Sequence, residues 1–255
     1  ANLFKYINTL RNDVFACIHK TKGSRLSEVS DKHIIKVDIN NKESIENMAE
    51  KIKPKVIFNC SSYGAYSFEK DTSQIINTNY LAITKLVNVL KNYSISSFIH
   101  AGSSSEYGDN CSAPSENEIC IPNGDYSMSK LAATNFLTSA GKNYNFPNII
   151  LRLYSVFGPL EDTSRLIPNI ISNGLDKKFP ELVNSEISRD FIYITDVCNA
   201  FVQAALVIKP DLYGEIFNIG RGEKITIKNL ALIAKNVFKI PSEPKFGGMN
   251  PKNWD

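Results

Sequence analysis

The sequence predicts a doubly wound α/β fold: a parallel sheet flanked by helices, with a smaller C-terminal lobe. Two observations carry this. Short apolar runs rich in β-branched and aromatic residues alternate with helix-length amphipathic segments, and unusual polar residues cluster just beyond the ends of several runs. Alternating strand and helix implies βαβ units with right-handed crossovers. Such sheets bind ligands beyond the carboxyl ends of their strands.

The runs DVFACIH (13–19), HIIKVDI (33–39), PKVIFNC (54–60), SSFIHAG (96–102), PNIILRLYS (147–155) and EIFNIG (215–220) read as buried strands. Between them, ESIENMAEKI (43–52) places Ile45, Met48 and Ile52 on one helical face. The longer SQIINTNYLAITKLVNVLKNY (73–93) sets Ile76, Tyr80, Ile83, Val87 and Leu90 at spacings of three and four. From about residue 156 the pattern loosens around Pro159, Pro168 and Pro180. Residues 1–155 are therefore expected to form the main domain, and 156–255 mainly a lobe covering the site, with some segments returning to the sheet. The tail from Ile240 is rich in Pro, Gly and Asn and carries no final packed element.

With 255 residues, 43% apolar and 22% charged, the chain can bury a sizeable core. A scattered net charge of +3 gives no argument for a nucleic-acid or membrane partner, and neither is expected. No apolar run is long enough to span a bilayer, and no signal-peptide pattern is visible. The five cysteines form no CxxC pair and no disulfide spacing, so a reducing, cytoplasmic compartment is expected. Cys60 and Cys198 read as small buried fillers, and three scattered histidines give no metal cluster.

The chain opens in ANLFKYINTLRN, a helix pattern with no strand before it and no glycine-rich loop. A dinucleotide-binding unit needs both upstream, because glycines let the backbone approach a pyrophosphate at a helix N-terminus. The missing strand would also be the central one, and its loss would leave two half-sheets without a common partner. The expectation is that the first strand and the Gly-rich loop are missing from this sequence.

The run GDYSMSK puts Tyr126 and Lys130 four residues apart, on one helical face. A phenol of pKa about 10 is a poor base, but a nearby cation favours its phenolate. Lowering it by about three units takes roughly 4 kcal/mol, within reach of a partly buried ammonium and an oxidised nicotinamide together. Tyr126 would then serve as general acid/base for a carbinol–ketone interconversion, with Ser103 at the end of a strand orienting the same substrate oxygen. Taken alone, the spacing more often describes a surface Tyr and Lys at a helix start.

Other segments decide between these readings. VDINNKESI, VIFNCSSYGAY, INTNYLAITKLVNVL, FIHAGSSSEYG, DYSMSKLAA, LRLYSVFGP, RDFIYITDV and GEIFNIGRG occur in this order along the chain. Together they resemble the extended short-chain dehydrogenase/reductases, in particular the NAD-dependent epimerase/dehydratase branch that acts on nucleotide sugars. The resemblance implies a Rossmann-type fold, a catalytic set of Ser103, Tyr126 and Lys130, and adenine contacts at Asp38 and Ile39. It implies further cofactor contacts at Cys60, Ser61, Ser62 and Asn79, and a homodimer built on a four-helix interface that includes the Tyr–Lys helix.

Departures from the family pattern refine this. Hexose dehydratases of the family carry an acidic pair, or at least a glutamate, just after the catalytic hydroxyl. Here those positions are Ser104 and Ser105, which can neither protonate a leaving hydroxyl nor remove a carbon-bound proton. Glu106 lies one step further, where an extended strand would turn it to the opposite face. Dehydration is thus disfavoured. Ser155 replaces an asparagine that holds the nucleotide sugar in many members. Arg189 is the candidate clamp for the substrate diphosphate, or else a structural partner of Asp190 or Asp196. Arg165 in the lobe can share that role, and Tyr63 can wall the sugar pocket. Lys20, Lys22 and Arg25, where an acidic residue would favour NAD, lean the cofactor towards NADP if the loop is not simply a solvated basic one.

The expected activity is a 4-ketoreductase of an NDP-4-keto-6-deoxyhexose. A sugar-nucleotide 4-epimerase is the alternative, and a non-catalytic dinucleotide-binding member or an inactive fragment is the reading from a different class.

Overall fold

A four-stranded parallel sheet runs through the larger part of the molecule, and its carboxyl edge carries most of the residues singled out above. The computed structural model describes residues 1–248, so the end of the Pro/Gly/Asn-rich tail, 249–255, lies outside the described residues. The elements in chain order begin with α1 (Asn2–Asn8), β1 (Ala16–Ile18), β2 (Ile34–Lys36), α2 (Lys42–Ile52), β3 (Val56–Asn59), α3 (Thr72–Ile76) and α4 (Ala82–Leu90). They continue with β4 (Ser97–Ser103), α5 (Asp125–Tyr144), β5 (Asn148–Leu153), β6 (Ser155–Phe157), α6 (Leu166–Leu175), β7 (Ser188–Arg189) and β8 (Phe191–Tyr193). The last are α7 (Ile194–Val207), β9 (Glu215–Ile219), β10 (Ile225–Thr226) and α8 (Ile227–Phe238).

The chain divides into two units: Ala1–Leu153 with Thr195–Ile219, and Tyr154–Ile194 with the chain from Gly220 on. In the first unit, β3, β4, β5 and β9 pair in that order, all parallel. Strands β1 and β2 pair in parallel as a separate two-stranded sheet. The central strands are apolar because both their faces are covered: Phe98, Ile99, Ile149 and Ile150 are fully buried. Against Phe98 and Ile150 pack Ile45, Met48 and Ala49 of α2, Ile83, Leu86, Val87 and Leu90 of α4, and Ala133, Leu137 and Ala140 of α5. The outer pair departs from the expected buried strands, since Phe15 and Cys17 are exposed.

Helix ends follow local chemistry. The Asn41 side chain accepts from Ser44 N at the start of α2, and Lys53 ends that helix in the left-handed region at φ 49°. Asp71 caps α3 by accepting from Gln74 N. Helix α5 lies so close to the chain before β9 that a Cβ at Gly141 would meet Gly214 N at 2.2 Å, so only glycine fits there.

The segment expected as one regular helix is continuous but not regular. A π-turn, Asn77–Leu81, joins α3 to α4. It absorbs one extra residue, so the buried face upstream falls on Ile75 and Asn79, while the expected Ile76 is exposed.

In the second unit, β6 pairs with β8 in parallel and β7 with β10 antiparallel. Its core is Ile170, Leu182, Ile227, Ala231 and Ala234. Gly174 of α6 lets that helix approach the Phe238 ring of α8, which a Cβ would meet at 2.5 Å.

Candidate active site

Strand β4 ends at Ser103, and the chain then turns through one short 3-10 helix, Ser104–Tyr107. The sequence Ser-Ser-Ser-Glu closes this turn as a capping box: Ser103 Oγ accepts from Ser105 N at 3.2 Å, and Ser103 N donates to Glu106 Oε1 at 2.8 Å. The hydroxyls of Ser103 and Ser105 lie 2.8 Å apart. When Ser105 donates in that pair, the Ser103 proton is left to be given to another oxygen.

Glu106 points into the interior, and not because an extended strand reverses its side chain. Residues 104–107 form a helical turn and no extended strand, and the capping bond draws the carboxylate inward. There its second oxygen accepts from Arg152 Nε at 2.8 Å, and both side chains are almost wholly buried.

Tyr126 and Lys130 occupy the first turns of α5, which packs along β4 and β5. Lys130 is 1% exposed. Its ammonium donates to Ala101 O at 2.5 Å and lies 3.5 Å from His100 Nε2. Burial pulls the Lys130 pKa down to about 8, against an opposing pull from Glu106. Burial, reinforced by the Lys130 charge, holds His100 well below the usual imidazole range. The other ring nitrogen of His100 lies 2.9 Å from Asn59 Nδ2, while Asn59 Oδ1 accepts from Ser61 Oγ at 2.7 Å. Hydrogen bonds thus lead from Lys130, at the base of α5, to the loop after β3.

That loop is also held from the helix side. Asn79, on the π-turn, accepts from Tyr63 N at 2.9 Å, donates to Tyr63 O at 2.8 Å, and donates to Ser129 Oγ at 2.9 Å. Ser129 in turn donates to Tyr126 O. Fully buried, Asn79 uses its carboxamide to pin residue 63 against α5. Gly64, at φ 95°, lies against Ile75, which a Cβ there would meet at 2.7 Å, with the Tyr126 ring beside it. Ser103, Tyr126, Lys130, Ser61, Ser62, Tyr63, Ser104 and Ser105 therefore gather at the carboxyl end of β3 and β4.

Other expected residues lie elsewhere. Asp38 follows β2 half-exposed, accepting from Asn40 N at 2.9 Å, with His19 Nε2 3.7 Å from its carboxylate. Ile39 packs on the core. Lys20 is exposed, whereas Lys22 pairs with Asp31 at 2.9 Å. Cys198 is buried as expected, but Cys60 is exposed, because β3 ends at Asn59 and position 60 already belongs to the turn. Ser155, Arg165 and Arg189 belong to the second unit. There Ser155 N donates to Asp190 O, Arg165 Nε lies 3.6 Å from Glu161 Oε1, and Arg189 Nη1 donates to Ser188 O at 3.0 Å. Asp190 accepts backbone bonds from Arg221 and Gly222.

The sequence reading missed His100 and the Glu106–Arg152 pair. The S-x-x-E spacing of a capping box was the available signal for Glu106; nothing local marks His100, whose partner is 30 residues away.

A parallel α/β sheet with a hydroxyl, a tyrosine and a buried lysine at the carboxyl end of its strands has the architecture of nucleotide-dependent oxidoreductases. The sequence profile of the NAD dependent epimerase/dehydratase family matches residues 1–220, and the chain belongs to that family. An uncharacterised UDP-glucose epimerase of Bacillus subtilis (strain 168) is 28% identical over 160 residues, 62% of this chain and 50% of that protein. A dTDP-4-dehydro-6-deoxyglucose reductase of Escherichia coli is 31% identical over 57% of this chain and 46% of its own length. A dTDP-glucose 4,6-dehydratase of Haemophilus influenzae is 28% identical over 82% and 66%. The chain thus spans about half to two thirds of the length of these relatives. Among solved structures, UDP-N-acetylglucosamine 4-epimerase from Methanobrevibacter ruminantium M1 superposes with a TM-score of 0.86 at 24% identity, covering 100% of this chain and 83% of that one. UDP-glucose 4-epimerase from Thermotoga maritima gives 0.85 at 20%, covering 98% and 82%. These likenesses show the Rossmann-type fold. Among the described residues, no helix is long and apolar enough to cross a membrane.

Proposed function

We propose that this chain is an NAD(P)-dependent 4-ketoreductase of an NDP-4-keto-6-deoxyhexose. The observation that carries the reading is the Ser104–Ser105 pair. The two positions after the strand-end hydroxyl bear hydroxyls, and the nearest carboxylate, Glu106, is buried against Arg152 and cannot reach a sugar. An acid and a base for dehydration are lacking there, while a donor for a carbonyl is not. The Escherichia coli reductase relative supports the same reading.

The donor set at the sheet's carboxyl end suits a dinucleotide. Asp38 and Ile39 would hold the adenine end, Lys20 the adjacent ribose, and Cys60, Ser61 and Ser62 the segment crossing the sheet edge, with Lys130 on the nicotinamide ribose. Asn79 would act indirectly, by holding the loop that carries Tyr63. Once bound, the reduced nicotinamide supplies a hydride. Ser103 would orient the C4 carbonyl by a hydrogen bond from its hydroxyl, Tyr126 would give the one proton that the C4 oxygen takes up, and the Lys130 ammonium would keep the Tyr126 phenol acidic enough to do so. In the first unit Tyr63, Ser104 and Ser105 would contact the sugar; in the second, Ser155, Arg165 and Arg189 are the candidates for the diphosphate, with Arg189 suited to pair with phosphate oxygens.

The 4-epimerase reading is favoured by the names of the structural neighbours. Incubating the full-length protein with NADPH or NADH and a panel of NDP-4-keto-6-deoxyhexoses separates the two. Stoichiometric loss of reduced-nicotinamide absorbance is expected, faster with NADPH if the basic segment of Lys20, Lys22 and Arg25 accommodates a 2′-phosphate. Interconversion of C4 epimers without net cofactor use would establish the epimerase instead.

The protein is proposed to be cytoplasmic and a homodimer. Leu81, at the end of the π-turn, and Met128 of α5 are exposed apolar residues beside the α4–α5 face. Light scattering at micromolar concentration should give twice the protomer mass, and Met128→Glu should lower it to one.

A further inference from the structure

The buried pair behind Ser103 is more than a packing device. Glu106 is wholly buried, Gly102 brings the backbone against its Oε1, and that oxygen accepts from Ser103 N at 2.8 Å. Its other oxygen accepts from Arg152 Nε at 2.8 Å. Arg152 is anchored in turn: it donates to Glu116 O at 3.2 Å and lies over the Tyr107 ring, 4.6 Å from the centroid. Tyr107 donates to Asn218 Oδ1 at 2.8 Å, and Asn218 N donates to Glu116 Oε1 at 2.9 Å. The end of β4 is thereby tied to β5, to β9 and to the 114–116 segment through side chains with matched donors and acceptors.

We propose that Glu106 is a positioning residue for the reaction, fixing the Ser103 backbone with one oxygen while Arg152 fixes Glu106 through the other. This inference rests on the functional reading above. A carboxylate is needed because both of its neighbours donate; an amide offers one acceptor, so one of the two donors would face an N–H. The same negative charge acts on Lys130. The titratable groups facing Lys130 are Glu106 from the turn, Cys60 from the loop after β3 and His100 from β4; those facing Glu106 are Arg152 from β5, Lys130 from α5 and Cys120. Among these, Glu106 is the leading influence holding Lys130 in its charged form against burial. One side chain therefore sets both the direction of the Ser103 hydroxyl and the charge beneath Tyr126.

The test is Glu106→Gln in the full-length protein. The expected result is a fall in kcat of about 10–100-fold, with KM and cofactor Kd within about threefold, and an alkaline limb of the kcat profile moved down by about half to one pH unit. A role confined to stability would leave that limb in place. The double variant Glu106→Gln/Arg152→Gln restores donor–acceptor matching without charge and serves if the single variant does not fold; its limb should remain shifted while part of kcat returns. Lys130 titration, followed by NMR of 13C-lysine-labelled protein, should move to lower pH in either variant whether or not a substrate has been found. Absence of turnover with every keto sugar would overturn the functional reading. A folded variant whose Lys130 titration and kcat profile match the unmodified protein would overturn this inference.

Discussion

Replacing Tyr126 with Phe is expected to lower single-turnover reduction of a 4-keto sugar about a thousandfold or more, with cofactor affinity by calorimetry changed less than about threefold. The substitution removes one oxygen and keeps the ring, which Gly64 packs beside and which the Ser129 bond to Tyr126 O and the Asn79 clamp hold in place. Lys130 keeps its bond to Ala101 O, which the substitution does not touch. What disappears is the proton. On the proposed reading neither Ser103 nor Lys130 replaces it: the serine would be engaged in orienting the carbonyl, and the Lys130 ammonium is buried and donates to Ala101 O. A variant retaining more than about a tenth of the activity would show that the proton comes from elsewhere.

Arg152→Ala is expected to lower unfolding stability by about 3–5 kcal/mol in urea denaturation, among the largest single-site losses in the chain. The guanidinium is 3% exposed and faces a carboxylate that is 0% exposed. Its removal leaves Glu106 charged, buried and without its ionic partner, strips a donor from Glu116 O and uncovers one face of Tyr107. Most of the cost belongs to the abandoned carboxylate. Combining the change with Glu106→Gln should therefore recover part of the loss, and a double variant as unstable as the single would assign the loss to packing alone.

Six strands could be located from the sequence because each is a short run of β-branched and aromatic residues with polar ends, and covered parallel strands have no alternation to obscure. Burial at the margin could not: Phe15 and Cys17 look like core residues locally, and their exposure depends on which elements cover β1. The candidate set of Ser103, Tyr126 and Lys130 could be named because Tyr126 and Lys130 are four apart and the family resemblance implies Ser103. Its support could not. Lys130 meets His100 across 30 residues, Arg152 meets Glu106 across 46, and Tyr107 meets Asn218 across 111, distances over which no periodicity speaks. Glu106 shows the difference most plainly. Position alone implied that it would not face the substrate, but its role needed the partner on β5.

The helix from Thr72 to Leu90 was read with a single 3.6-residue period, and Ile76 was assigned to its buried face on that basis. The π-turn at Asn77–Leu81 breaks the period, giving the helix two phases. Downstream, residues 82–90 are timed to the hydrophobic core; upstream, Ile75 and Asn79 are timed to the loop beside Tyr126. Removing one residue from the turn would restore regular winding and rotate the upstream half by about 100° relative to the downstream half. The Asn79 amide would then leave the Tyr63 backbone while every core contact of α4 stayed in place. One surplus residue thus lets a single helix answer to two selective pressures, so that the ligand side can be retuned without renegotiating the fold.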